Sequence, residues 1–336
     1  MEFAIRCMTW TLALNTHIYI EIAGPDLATS LSHKPPYPPT STTRNYWKMA
    51  TPAGVREHKD VYPAIDPTQT FAAQSYAGKV VLITGANGGL GAVAAQFYAR
   101  AGASVALVAR SADKLKAVIA GAPGAEDRMF SIEADVRDTR AAEDAVKQTV
   151  EKFGKLDILI ANAGVITSFN ESIETKDPQT YWNTFEVNVK GVYNYVRAAI
   201  PEIRKSEGQI LVTTSGMAYM RVPNNSDYAV SKLAVNGLVE FIHLEFPNIP
   251  VYALHPGVVE TNLVRSVELP DSLPAANVPF DTPELSAATM LHLTLGKAPW
   301  LSGRYFSSNW DIEDVEKLWK EKIVEGNALV SVLAAP

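Results

Sequence analysis

Between residues 78 and 306, short apolar runs alternate with segments whose apolar positions recur at helical spacing. The runs at 80–83, 104–109, 129–132, 156–161, 210–214 and 251–254 are short and rich in Val, Ile, Leu and Ala. Such runs suit strands of a parallel sheet buried on both faces. Helical periodicity fills the intervals at 91–101, 112–120, 139–153, 178–205 and 228–246. Gly102 and Gly154 stand where helix C-caps belong. This order predicts a single doubly wound α/β (Rossmann) domain over 78–306, a parallel sheet flanked by helices on both faces. Its ligand then lies at the carboxyl ends of the strands. A last amphipathic helix, 311–325, puts Ile312, Val315, Trp319 and Ile323 on one face, within a C-terminal helix and tail at 307–336.

The stretch 1–48 breaks the pattern. Its most apolar part, 7–22, is interrupted by Asn15, His17 and Glu21 and is too short and polar to span a bilayer. A cleaved signal peptide is the alternative, with an apolar region diluted by polar residues. Pro35, Pro36, Pro38 and Pro39 among serines and threonines then predict a disordered extension. Met49 opens a more orderly segment and reads as the start of translation; 49–77 reads as an ordered arm. The net charge of −6 points away from nucleic acid and from anionic membrane surfaces. Cys7 is the only cysteine, which rules out an internal disulfide framework and fits a reducing, cytoplasmic setting.

The first strand runs into Thr84 and Gly85, and Gly85, Gly89 and Gly91 then fall at the spacing T-G-x-x-x-G-x-G before a helix. Glycines there allow a tight turn and a close approach of pyrophosphate to the first helical amides, where the helix dipole favours an anion. A plain strand–turn–helix packed on its glycines would show the same spacing, so this motif alone does not decide. After the second strand, the slot that holds a carboxylate in an NAD site contains Ala109 followed by Arg110. A guanidinium suits a 2′-phosphate, with Ser111 and Lys114 as further donors, so NADP(H) is expected over NAD(H). Asp135 follows the third strand, where it either accepts from an adenine amino group or N-caps the next helix.

Tyr228 and Lys232 are four apart and share a helix face. A phenol is a poor acid or base near neutrality, and a nearby ammonium favours its anion. Such a pair can exchange a proton with a carbonyl or alcohol oxygen while hydride moves to or from nicotinamide. The same spacing also describes an ordinary surface pair. Ser215, at the end of the fifth strand, brings a hydroxyl that would hold the substrate oxygen against Tyr228.

With these residues the chain resembles the short-chain dehydrogenase/reductase family over about 78–306. The glycine motif is present at 84–91, and the family's N-N-A-G appears as Ala161-Asn162-Ala163-Gly164. Its catalytic asparagine matches Asn188 in F-E-V-N-V-K, its serine Ser215 in T-T-S-G-M, and its tyrosine and lysine match Tyr228 and Lys232 in Y-A-V-S-K. Its proline-glycine turn matches Pro256-Gly257, with Thr261 beyond. The tail G-R-Y-F-S-S-N-W-D and the arm D-V-Y-P-A-I-D-P resemble a filamentous-fungal subgroup.

The resemblance implies that Tyr228 is the general acid in reduction and the base in oxidation. It implies that Lys232 lowers the phenol pKa and bonds the nicotinamide ribose, that Ser215 polarises the carbonyl, and that Asn188 holds a water relaying protons from Lys232. It places Asn87, Leu90, Asn162, Ala163, Gly164, Pro256, Gly257, Val259 and Thr261 around the cofactor, with Gly85, Gly89, Gly91, Arg110 and Asp135. Some NADP-preferring members carry a basic residue in the glycine loop where this chain has Gly88, which leaves Arg110 as the main determinant.

The expected function is interconversion of a carbonyl and a secondary alcohol on a small, apolar or aromatic metabolite, without a metal. A catalytically retired dinucleotide-binding regulator or scaffold is the alternative, although Asn188, Ser215, Tyr228 and Lys232 are all retained. The loop 264–281, with Leu269, Leu273, Val278 and Phe280, is the expected substrate cover, and Met217, Tyr219 and Met220 suit the same apolar ligand. A homodimer or homotetramer is expected through the helices 178–205 and 228–246, with Val235, Leu238, Val239 and Ile242 on the outer face.

Overall fold

Seven parallel strands form one sheet in the order β3-β2-β1-β4-β5-β6-β7. They are β1 Val80–Thr84, β2 Ser104–Ala109, β3 Met129–Glu133, β4 Ile158–Ala161, β5 Gln209–Thr213, β6 Val251–His255 and β7 Arg304–Ser307. The computed structural model describes residues 51–267 and 279–331; the expected disorder of 1–48 and the cover residues Leu269, Leu273 and Val278 lie outside them. The strand order reverses beside β1, where Leu82 pairs with Ala106 of β2 on one side and with Leu159 of β4 on the other. That reversal opens the crevice where doubly wound sheets bind ligands.

Ten α-helices accompany the sheet among the described residues: α1 Thr68–Ala72, α2 Gly89–Arg100, α3 Ala112–Ala120, α4 Thr139–Phe153, α5 Pro178–Phe185, α6 Gly191–Lys205, α7 Ser226–Glu245, α8 Asn262–Arg265, α9 Pro283–His292 and α10 Ile312–Val324. Side-chain alternation along the strands builds two cores. Val81 and Ile83 join Ala94 and Tyr98 of α2, Leu285 and Leu291 of α9, and Val315 of α10. Val80 and Leu82 face the other way, onto Val146 of α4, Tyr195 of α6 and Val239 of α7. Each aliphatic side chain buried this way contributes roughly 1.5–3 kcal/mol, enough that both faces must stay covered.

The strand ends expected from sequence shift by one or two residues at most, and Gly154 is the left-handed cap of α4. Four features differ. The segment 178–205 is not one helix: a π-helical turn, Glu186–Lys190, separates α5 from α6 and carries Asn188. β7 lies within the polar-looking tail, where only four residues pair with β6. α9 starts at the cap Thr282, whose hydroxyl accepts from Leu285 N, and with Pro283 in its first turn. Lastly, Val235, Val239 and Ile242 are core residues at 0%, 1% and 4% exposure, because they pack on the sheet. The outer face of α7 is instead Val230, Phe241 and Leu244.

The arm docks on the tail. Tyr62 donates to Trp310 O at 3.0 Å and accepts from Ile312 N at 3.1 Å, and Glu57 bridges Trp310 antiparallel. Arg56 pairs with Asp311 and Asp314.

Candidate active site

The crevice is laced together by the motif residues. Thr84 Oγ1 accepts from the backbone amides of Asn162 and Ala163, at 3.0 and 3.1 Å. Asn162 Nδ2 donates back to Thr84 O at 3.1 Å, and its Oδ1 accepts from Thr213 Oγ1 at 3.2 Å. The carboxyl ends of β1, β4 and β5 are thereby fixed relative to one another. Gly85 sits at φ +66°, and a Cβ there would stand 2.8 Å from Ala163 Cα, so close approach of the two loops demands glycine. α2 begins beside this junction with Gly88 as its N-cap, and no side chain caps it. Its first amides are left for an anion, with the dipole in their favour.

One cleft runs along the carboxyl edge and gathers most of the expected residues. Gly85, Asn87, Gly89, Leu90, Arg110, Asp135, Asn162, Ala163, Gly164, Tyr228, Lys232, Pro256 and Thr261 line it. Gly91, Gly257 and Val259 do not line it, nor do Asn188 and Ser215. Gly257 is left-handed at φ +89° and leaves room for the Asp281 carboxylate, which accepts from Val258 N at 2.6 Å. Val259 pairs with Asp281 in a parallel bridge. Thr213, Thr214, Val136, Val187, Asn262 and Leu263 also line the cleft and were not singled out from sequence. Thr213 closes β5 and Thr214 follows it, and the strand-end rule alone would have found them.

At one end of the cleft, Ala109 leaves room beside Arg110 and Lys114. Arg110 is exposed and has no hydrogen bond or ion pair among the described residues. Asp135 does not cap α4: Asp138 does, accepting from Arg140 N at 2.8 Å and Ala141 N at 3.2 Å. Asp135 instead receives the Arg137 side chain, Nη2 at 2.7 Å, which holds its carboxyl below the usual range. Uncapped amides, an exposed guanidinium and an ammonium form a donor set that fits the phosphates of a dinucleotide.

At the other end, Lys232 Nζ lies 5.9 Å from the centroid of the Tyr228 ring and donates to Thr213 O at 2.9 Å. Ser215, capping a turn after β5, stands by the Tyr228 phenol and favours its anion. Burial dominates the electrostatics. It raises the Tyr228 pKa, with Ser215 opposing, and lowers that of Lys232 to about 8. Burial outweighs the Ser215 contribution, so the phenol stands above its ordinary value.

Asn188 is bonded within the protein. Its Nδ2 donates to Val165 O at 2.9 Å and Ser231 Oγ at 3.0 Å, and its Oδ1 accepts from Val165 N at 2.8 Å. Both amide protons are engaged within the protein, so the side chain ties the loop after β4 to α7. Beyond Val165, a small apolar cluster forms a wall. Phe169 and Val222 are buried in it, with Ile166, Met217, Met220 and Val267 against them.

Sequence and fold agree with those of known proteins. The sequence model of the short chain dehydrogenase family matches residues 79–271. The chain belongs to the short-chain dehydrogenase/reductase family and is an enzyme of that class. The short chain dehydrogenase citE of Monascus ruber is 38% identical over 285 residues, covering 82% of this chain and 94% of that protein. A short chain dehydrogenase of Burkholderia cenocepacia, solved in complex with NADP, superposes with a TM-score of 0.62 at 29% identity, covering 69% of this chain and 97% of that one. Carveol dehydrogenase of Mycobacterium avium, solved in complex with NAD, superposes with a TM-score of 0.64 at 26% identity, covering 69% and 96%. No helix among the described residues is long and apolar enough to cross a membrane.

Proposed function

We propose that this enzyme is an NADP(H)-dependent oxidoreductase that interconverts a carbonyl and a secondary alcohol on an apolar or aromatic small molecule. The observation that carries the cofactor half is Arg110, exposed at the cleft beside neutral Ala109 and without a hydrogen bond or ion pair among the described residues, with Lys114 also lining the cleft. A guanidinium so placed grips a 2′-phosphate, whereas an NAD site uses a carboxylate there. The glycine loop 85–91 and the first amides of α2 hold the pyrophosphate, and Asn162, Ala163, Gly164, Pro256 and Thr261 flank the rest. When bound, nicotinamide supplies the two-electron donor or acceptor.

The protein's own residues supply the proton. Tyr228 donates it to a carbonyl oxygen in reduction and removes it from an alcohol in oxidation. Ser215, next to the phenol, holds the same substrate oxygen. Lys232 is fixed by Thr213 next to Tyr228, and Asn188 steadies the loop that faces both. The cluster around Phe169 and Val222 takes in Met217 and Met220, from the segment that follows Ser215, and its apolar character supports an apolar or aromatic substrate.

The enzyme acts as a homodimer or homotetramer in this reading. Trp182, Tyr193, Phe241 and Leu244 are 60%, 52%, 63% and 72% exposed, and the first three line one groove. So much exposed aromatic surface in one place marks an interface.

The test is consumption of NADPH, with NADH in parallel, against a panel of aryl ketones and quinones. Turnover with NADPH well above NADH is expected. Absence of turnover on every carbonyl, or equal use of the two dinucleotides, would overturn the reading.

A further inference from the structure

Lys176 and Asp227 form the most deeply buried ion pair among the described residues, with side chains 2% and 0% exposed. Lys176 Nζ donates to Asp227 Oδ1 at 3.0 Å, to Thr167 Oγ1 at 2.8 Å and to Asn224 O at 3.1 Å. Asp227 Oδ2 accepts in turn from the hydroxyls of Thr167 and Thr184. Every donor of the ammonium and both oxygens of the carboxylate are thus engaged. The knot joins three pieces of chain: the loop between β4 and α5, α5 itself, and the entry to α7. Neither charge lines the cleft.

Net stability is a poor reason for such a pair, because removing two charges from water costs about as much as their attraction returns. Direction and length are what it fixes. Asp227 precedes Tyr228 in the first turn of α7. Farther along, that helix is pinned by Thr214 Oγ1 to Asn236 Oδ1 at 2.6 Å and by Asn188 to Ser231 at 3.0 Å. Its start has the Lys176 knot. The loop held at its far end by Lys176 carries Ile166 and Phe169, which belong to the apolar wall with Met217, Met220 and Val222.

We propose that Lys176 and Asp227 are positioning residues that fix the distance between Tyr228 and the apolar substrate wall. The proposal rests on the reading of Tyr228 as the proton donor. Neither residue touches substrate or cofactor; both act through the start of α7 and the loop after β4.

Four variants test it: Lys176→Met, Asp227→Asn, the two combined, and Tyr228→Phe. Phenanthrenequinone with NADPH is the probe, and melting temperature, NADPH affinity, kcat and KM are the readouts. Each single change strands a buried charge or leaves donors without an acceptor, and lowers the melting temperature. The combined change removes both charges and returns the melting temperature towards wild type. Its kcat at saturating quinone stays down by about ten- to a hundredfold, the effect of a misplaced reacting group, with NADPH affinity unchanged. A combined variant that regains kcat together with its melting temperature would overturn the proposal. The control separates the two layers. If Tyr228→Phe is inactive and the combined variant is fully active, only the positioning role fails. If Tyr228→Phe turns over normally, the reading of the site fails and the positioning role goes with it.

Discussion

Lys232 Nζ donates to the carbonyl of Thr213 at 2.9 Å, so the lysine of α7 is anchored on the last residue of β5. That anchor keeps an ammonium 5.9 Å from the Tyr228 ring centroid, in a place where burial alone pushes its pKa down to about 8. The arrangement is unfavourable for folding and useful for chemistry, since a lysine titrating near 8 exchanges protons readily near neutrality.

The sign of the stability effect follows from that depressed value. Between about 8 and the ordinary 10.5 the unfolded chain binds more protons at this site, so stability rises with pH across that window. Below 8 the full penalty of the buried ammonium is present. Lys232→Met should therefore melt above wild type at neutral pH, with the gap closing as pH rises through this window. Thermal melts of both proteins at a series of pH values check this; a constant gap would contradict the assigned shift.

Tyr228→Phe deletes one hydroxyl and keeps the buried ring, so NADPH affinity should hold while turnover falls by roughly a hundred- to ten-thousandfold. Lys232→Met should match that loss in turnover and also weaken NADPH binding, because a donor beside the ribose site goes. Steady-state rates on an accepted carbonyl and fluorescence titration of NADPH separate the two patterns. Near-normal rates for Tyr228→Phe would assign the proton donor to another group.

Arg110→Ala should weaken NADPH binding by about ten- to a hundredfold, the range of a hydrogen bond to a charged group, and leave NADH unaffected. Adding Ala109→Asp should turn preference towards NADH by supplying the carboxylate for the ribose hydroxyls. Titrations with both dinucleotides decide it, and parallel losses for the two would remove Arg110 from the 2′-phosphate.

Phe241→Glu places a charge in the groove lined by Trp182, Tyr193 and Leu238. Multi-angle light scattering should show the wild-type assembly giving way to monomer at micromolar concentration. A wild-type protein that is already monomeric at that concentration would contradict the interface.

Most of the sheet was legible because six of its strands are apolar runs between helical periods, and local pattern is sufficient for those. β7 was not: Arg304 to Ser307 borrows its strand character from β6, which no window of sequence displays. α9 carried its own signal in Thr282-Pro283, and an apolar stretch without clear periodicity hid it, since the helix is buried on nearly every side. At the site, the motif residues converge on one cleft, yet their hydrogen-bond partners were invisible. Asn188 finds Val165, and Asp227 finds Lys176 across 51 residues, through tertiary placement alone. Depth of burial, which raises the Tyr228 pKa, shows in no motif either.

The docking of the arm on the tail has a consequence for synthesis. Arg56 and Tyr62 leave the ribosome early, while their partners Trp310, Asp311 and Asp314 emerge about 250 residues later. At translation rates of about 5–20 residues per second, the arm waits on the order of ten seconds or more for its partners. During that interval Tyr62 and Ile65 are unsheltered apolar groups on a growing chain, whereas β1 to β6 can already pair. Closing the arm against the last helix is then a late, long-range step, and chaperone binding to the nascent chain should persist until α10 has been made.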